Sequence, residues 1–166
     1  QKEWSQGRPV IAGPWLRKEL DFSTHWIIGR EETEFLGAAQ IINDSFGAYR
    51  GSIAGPQVDI PYLDEHLQVA KQALETMRET GYFGPVGIDA MIYGGGKLHP
   101  LVEINARQTM SQAALKFQQR LFPEKNIRFD FALQGQDKIC LLPNRIINFD
   151  QKEIKFNKQL FFEVVS

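Results

Sequence analysis

Three residues with oxygen-bearing side chains stand where a hairpin would bring them together. Asp89 lies in Gly87-Ile88-Asp89-Ala90-Met91-Ile92-Tyr93, and Glu103 and Asn105 lie in Leu101-Val102-Glu103-Ile104-Asn105-Ala106-Arg107. Residues two apart on a strand point to the same face, so Glu103 and Asn105 project together, while Val102 and Ile104 are expected to turn the other way into a core. Between the runs, Gly94-Gly95-Gly96-Lys97 takes positive φ at little steric cost, the mark of a tight turn. A turn over 95–97 puts Asp89 directly opposite Glu103, with Pro100 able to slip the register by one residue. Carboxylates facing each other across a ladder lie ~5 Å apart and repel unless something neutralises them. Two carboxylates and an amide oxygen form a hard donor set, suited to magnesium bridging nucleotide phosphates, whereas zinc would want His or Cys. Arg107 falls on the same face if the strand continues. On spacing alone, the same residues also fit the wet face of an ordinary hairpin.

The elements that must position them read as follows. A helix after Asp64 carries Leu67, Ala70, Leu74 and Met77 as an apolar stripe, with Asp64 placed to cap its first amides and Gly81 to end it. A second helix spans Thr109 to Leu121, with Met110, Ala113, Ala114, Phe117 and Leu121 at helical spacing before Phe122-Pro123. Strands are expected over Phe22–Ile28, Glu34–Ile42, Ala48–Ile53, Gly87–Tyr93 and Leu98–Asn105. Shorter ones are expected around Ile127–Leu133, Ile139–Leu142, Ile146–Phe149 and Leu160–Val165. Many strands, two main helices and hairpin-length connections predict an α+β fold on a mostly antiparallel sheet.

With 166 residues, 43% of them hydrophobic, the chain can bury a real core. Its 19 basic and 20 acidic residues leave no general field to draw in nucleic acid or anionic lipid, so any phosphate binding must be local. No apolar run approaches the ~18 residues that span a bilayer, which makes the cytoplasm the expected compartment. The single Cys140 excludes an internal disulfide and reads as a core residue of a buried strand. His25, His66 and His99 are scattered without ligand spacing, and Trp4, Trp15 and Trp26 read as packing residues.

Gly87-Ile88-Asp89, followed by Leu101-Val102-Glu103-Ile104-Asn105-Ala106-Arg107, resembles the metal-binding hairpin of ATP-grasp enzymes. The resemblance implies that Asp89, Glu103 and Asn105 coordinate magnesium, or manganese in its place, against the phosphates of ATP. It also gives Arg107 the place of the basic residue that faces the acyl phosphate or substrate carboxylate. Pro9-Val10-Ile11-Ala12-Gly13-Pro14-Trp15-Leu16, then Asp21-Phe22-Ser23, resembles the hinge strand that bonds adenine and the acid after it. Gly13, Pro14, Trp15 and Leu16 would then meet the base, although many relatives have Glu where Gly13 stands. Asp21 would face the ribose, with Glu19 as the alternative. Phe46-Gly47-Ala48-Tyr49-Arg50-Gly51-Ser52 lies where relatives place a basic residue near the phosphates, which points to Arg50.

The likeness runs from about Val10 to Ser111. Residues 1–125 are thus expected to form the C-terminal subdomain of an ATP-grasp domain, with 126–166 a β-rich extension packed on it. The family's first lobe, with its lysine and glycine-rich lid, has no counterpart before the hinge, so the chain is expected to be part of a longer ligase and inactive alone. The implied reaction joins a small-molecule carboxylate to an amine or another nucleophile through an acyl phosphate. A non-catalytic ATP-grasp-like module that binds a nucleotide or partner is the alternative. Sheet edges left open could pair two chains into a homodimer.

Overall fold

The computed structural model describes residues 13–131, 139–142, 145–149, 152–156 and 160–165. Five long or medium strands come first: β1 (Lys18–Ile28), β2 (Thr33–Asn43), β3 (Tyr49–Ala54), then β4 (Gly84–Tyr93) and β5 (Lys97–Asn105) after helix α1 (Leu63–Glu79). Helix α2 (Met110–Leu121) precedes β6 (Asn126–Asp130), β7 (Ile139–Leu142), β8 (Arg145–Phe149), β9 (Lys152–Phe156) and β10 (Leu160–Val165). Eight strands form one sheet in the order β5-β4-β1-β2-β3-β6-β10-β7, and β8 pairs with β9 in a separate ribbon. Every pairing is antiparallel, in keeping with the α+β expectation.

The period of two decides which helix each side chain meets. Trp26 and Ile28 of β1 and Val86 and Ile88 of β4 share a face, and Ala70 and Leu74 of α1 close a core on them. Burying a leucine as fully as Leu74 contributes about 1.5–3 kcal/mol. On the opposite face, Leu115 of α2 packs on Ala39 and Ala54, and Ala114 on Ile127, Phe129, Leu160 and Phe162. Phe117 adds edge-on contacts to Phe129 and Phe162, each with ring centroids 5.2 Å apart. Helix α2 therefore covers the β2-β3-β6-β10 half of its face and leaves the β5-β4-β1 half open.

Several expectations need correction. Asp64 does not cap α1: it sits in the first turn, and the cap is Tyr62, in the left-handed region at φ 60° with no side-chain hydrogen bond. Thr109, by contrast, caps α2, its hydroxyl accepting from the Gln112 amide. Val102 and Ile104 do not enter a core, being 49% and 38% exposed, because β5 is an edge strand that α1 reaches only in part. Cys140 and Ile139 are exposed for the same reason, β7 being the other edge. Strand β6 ends at Asp130, short of Leu133, and β9 was not foreseen. Trp15 is 80% exposed and packs into no core. Trp4 and the Val10-Ile11-Ala12 run lie outside the described residues, and residues 13–17 form no strand.

The β4–β5 hairpin reaches the expected pairing by another route. Tyr93 pairs with Lys97 around Gly94-Gly95-Gly96, whose φ values of 54°, 83° and 86° only glycine adopts easily. That register continues to Met91 opposite His99 and, unbroken, would set Leu101 against Asp89. Instead Asp89 pairs with Glu103, Ile88 with Ile104 and Gly87 with Asn105. From His99 to Glu103 β5 advances four residues while β4 advances two, so a bulge around Pro100 holds the surplus.

Candidate metal and nucleotide site

The open half of the sheet face carries the predicted oxygen ligands. Asp89 faces Glu103 across the ladder, and Asn105 follows Glu103 on the same face. The Asn105 side-chain amide donates to Asp89 Oδ2 at 3.1 Å, and its Oδ1 accepts from Arg107 Nη2 at 2.9 Å. All four residues line one cavity of about 260 Å³, shared with Ile41, Tyr49, Thr109, Met110 and Ser111. Burial pushes the Asp89 carboxyl above its ordinary range, and the charge of Glu103 adds to the rise. Asn105 and Ser23 work against it, although the Ser23 hydroxyl forms no hydrogen bond of normal length. Among the described residues, neither Asp89 nor Glu103 has a lysine or arginine in an ion pair. Two facing acids without a cation, beside an amide oxygen, form the donor set that a hard dication completes. The described residues hold no group of three or more His, Cys, Asp or Glu that could hold a metal ion, so any ion here would rest on two carboxylates and the amide oxygen.

A second crevice adjoins the first through Ile41, Tyr49, Asp89 and Glu103, and extends to Lys18, Asp21, Asn43, Gly47 and Met91. A third continues from Lys18, Gly47 and Met91 to Pro14, Trp15, Leu16 and Phe46. The three make one cleft across the sheet, from two exposed aromatic rings to the paired acids. Asp21 lies midway, held by Lys18 Nζ at 2.5 Å and by Asn43 Nδ2 at 2.7 Å. Glu19 faces elsewhere: its carboxylate accepts from the Gly95 and Gly96 amides at 2.6 and 3.2 Å, fixing the glycine turn. Gly13 is exposed, with nothing within 4 Å of where a Cβ would stand, and lines none of the three crevices. Arg50 also stands apart from all three, its guanidinium 3.3 Å from Asp44 across the β2–β3 loop.

Sequence reasoning missed the wall opposite the acids. Tyr49 Oη meets Ser52 Oγ at 2.8 Å, and Ser52 donates to Ser111 Oγ at 2.8 Å, a hydroxyl chain joining β3 to the start of α2. Burial is the main reason that the Tyr49 hydroxyl titrates above its ordinary value, with the charges of Asp130 and Asp89 adding to it. Nothing in the spacing of Tyr49, Ser52 and Ser111 announces that chain, since two separate elements build it.

Comparison with known proteins adds independent findings. No family model matches the chain. Over 117 residues, 70% of its length, the chain is 29% identical to a butirosin acyl-carrier protein L-glutamate ligase from Niallia circulans, of which it covers 27%. Its fold matches N5-carboxyaminoimidazole synthetase from Staphylococcus aureus at a TM-score of 0.60 and 11% identity, over 91% of this chain and 47% of that one. An ATP-grasp superfamily protein from Archaeoglobus fulgidus matches at a TM-score of 0.52 and 15% identity, over 90% and 47%. The chain thus shares the fold of about half of an ATP-grasp protein. It spans about a quarter of the curated relative, at 27%, and just under half of these structures, at 47%.

Proposed function

We propose that the chain carries the metal-binding part of an ATP- and magnesium-dependent ligase that joins a carboxylate to an amine, or another nucleophile, through an acyl phosphate. The observation that carries the reading is the convergence of Asp89, Glu103 and Asn105 on one cavity wall with Arg107 beside them. The chemistry that a bound magnesium ion would supply is neutralisation of phosphate charge during phosphoryl transfer. Asp89 and Glu103 would hold the ion with carboxylate oxygens and Asn105 with Oδ1, which has a second lone pair beside the one Arg107 occupies. The cleft running to Trp15 and Phe46 offers the base its apolar surface and Asp21 its ribose partner. A fold relative from Staphylococcus aureus takes ADP, which supports a nucleotide in this cleft.

In the proposed reaction a substrate carboxylate oxygen attacks the γ-phosphorus, an O–P bond forms, and the bond to the bridging oxygen breaks as ADP leaves. The nucleophile then attacks the acyl carbon, the C–O bond to phosphate breaks, and the proton of the amine passes to solvent. Arg107, forked and permanently charged, holds the acyl phosphate oxygens during both steps. No side chain forms a covalent bond to substrate, so the work of the site is positioning and electrostatics. The Niallia relative ligates L-glutamate to an acyl-carrier protein, and an amino acid carboxylate and an acyl-carrier protein are accordingly the first substrates to try.

The test is thermal. ATP at about a hundred times its Kd should add roughly 2.7 kcal/mol, a rise of about 5–10 °C in Tm for a chain of this size, only when magnesium is present. Glu103→Ala should abolish the rise. A wild-type Tm indifferent to magnesium and ATP together overturns the reading. A rise with ATP alone would instead favour a non-catalytic nucleotide-binding module, the alternative that Arg107 sitting on the Asn105 oxygen supports.

A further inference from the structure

One buried chain of hydrogen bonds outside the cleft ends on the bulge that aligns the acids. His66 of α1 is fully buried, its ring edge-on to Phe22 with centroids 5.0 Å apart. Its Nε2 lies 2.7 Å from Thr24 Oγ1, which accepts from Trp26 Nε1 at 3.0 Å. Its Nδ1 lies 2.8 Å from the Pro100 carbonyl oxygen. The donors fix the direction of the whole chain. The indole N–H can only donate, so the Thr24 hydroxyl hydrogen turns to Nε2; the carbonyl can only accept, so the imidazole proton sits on Nδ1. Burial lowers the pKa of His66 and keeps this neutral tautomer.

Pro100 is where β5 leaves its first register, and proline has no N–H to offer the ladder. The carbonyl freed by the bulge is satisfied by His66 instead of by β4. The alternative to the bulge is the register of Tyr93 with Lys97 run on unbroken. Leu101 would then face Asp89, and Glu103 would move two residues along the strand, about 7 Å away from Asp89. We infer that His66 is a positioning residue: by anchoring the Pro100 carbonyl across the face opposite the cleft, it sets the register that places Glu103 against Asp89. Its functional meaning rests on reading those two acids as metal ligands, but the register itself does not.

The experiment compares His66→Asn with His66→Gln. The Asn amide nitrogen replaces Nδ1 and keeps the donor to Pro100, while the Gln amide replaces Nε2 and keeps only the Thr24 side. Both lose the same buried ring, so general destabilisation is common to them. Amide hydrogen exchange is followed in peptides covering 97–105 and, as reference, 18–43, with Mn²⁺ affinity measured by paramagnetic resonance in the presence of ATP. Exchange over 97–105 should quicken at least tenfold in His66→Gln alone, with the reference unchanged and Mn²⁺ bound at least tenfold more weakly. Equal exchange in the two variants, or quickening spread evenly over both regions, overturns the inference. Absence of Mn²⁺ binding in the wild-type protein would sink the metal reading, and the exchange comparison would still decide the role of His66.

Discussion

Asp89 and Glu103 oppose each other with no cation from the described residues to hold them, so their charges cost stability in the metal-free protein. Asp89→Asn removes one charge and keeps an oxygen for the Asn105 amide. It should raise metal-free stability by about 0.5–1 kcal/mol in urea unfolding while eliminating the magnesium-dependent gain from ATP. Opposite signs in the two measurements separate a ligand from a surface acid. His25 makes a second residue-level prediction. It is fully buried, its Nε2 has no partner, and burial lowers its pKa to about 4 from the ordinary 6.5. Below pH 6.5 the unfolded chain takes up this proton and the folded one does not, so stability falls with pH across the window down to about 4. The loss sums to about 3 kcal/mol, to be read from urea midpoints between pH 7 and 4. His25→Leu should flatten the slope without abolishing it, because His66 shifts in the same direction.

At the scale of elements, β3 and β6 meet at a close approach. A Cβ on Gly51 would stand 1.9 Å from the Phe129 carbonyl oxygen, a backbone atom that cannot turn aside. Gly51→Ala should therefore force β3 from β6 and cost about 3 kcal/mol or more in urea unfolding. It would loosen Tyr49, Ser52 and the cavity wall with them. The facing acids were legible in the sequence because a glycine turn fixes a hairpin. Their pairing was nonetheless reached with a turn misplaced by one residue and a bulge twice the expected size, and the two errors cancelled. Helix α2 was legible in its span from the apolar stripe and the Phe122-Pro123 stop, while the capping role of Thr109 emerged only from the structure. The start of α1 was not, because Tyr62 in a left-handed conformation has no local signature, and Asp64 was the nearer acid. Val102 and Ile104 were misjudged because the pattern of a strand records its pleat but not whether a helix arrives to cover it.

Taken as a whole, the molecule puts its two helices on opposite faces and displaced along the sheet, so that the space α2 leaves open is the cleft. No sequence window contains that arrangement, which arises from which strands are neighbours. The order β5-β4-β1 brings the glycine turn beside Glu19 and the acids in line with Asp21. No helix among the described residues is long and apolar enough to cross a membrane. The bulge at Pro100 has one more effect, on β5 as the outermost strand of its side. A foreign strand seeking to zip along that border would meet a missing donor, a carbonyl already claimed from within and a carboxylate, three obstacles over four residues. The irregularity that sets the acids face to face thus also guards this flank against unwanted stacking of one copy on another.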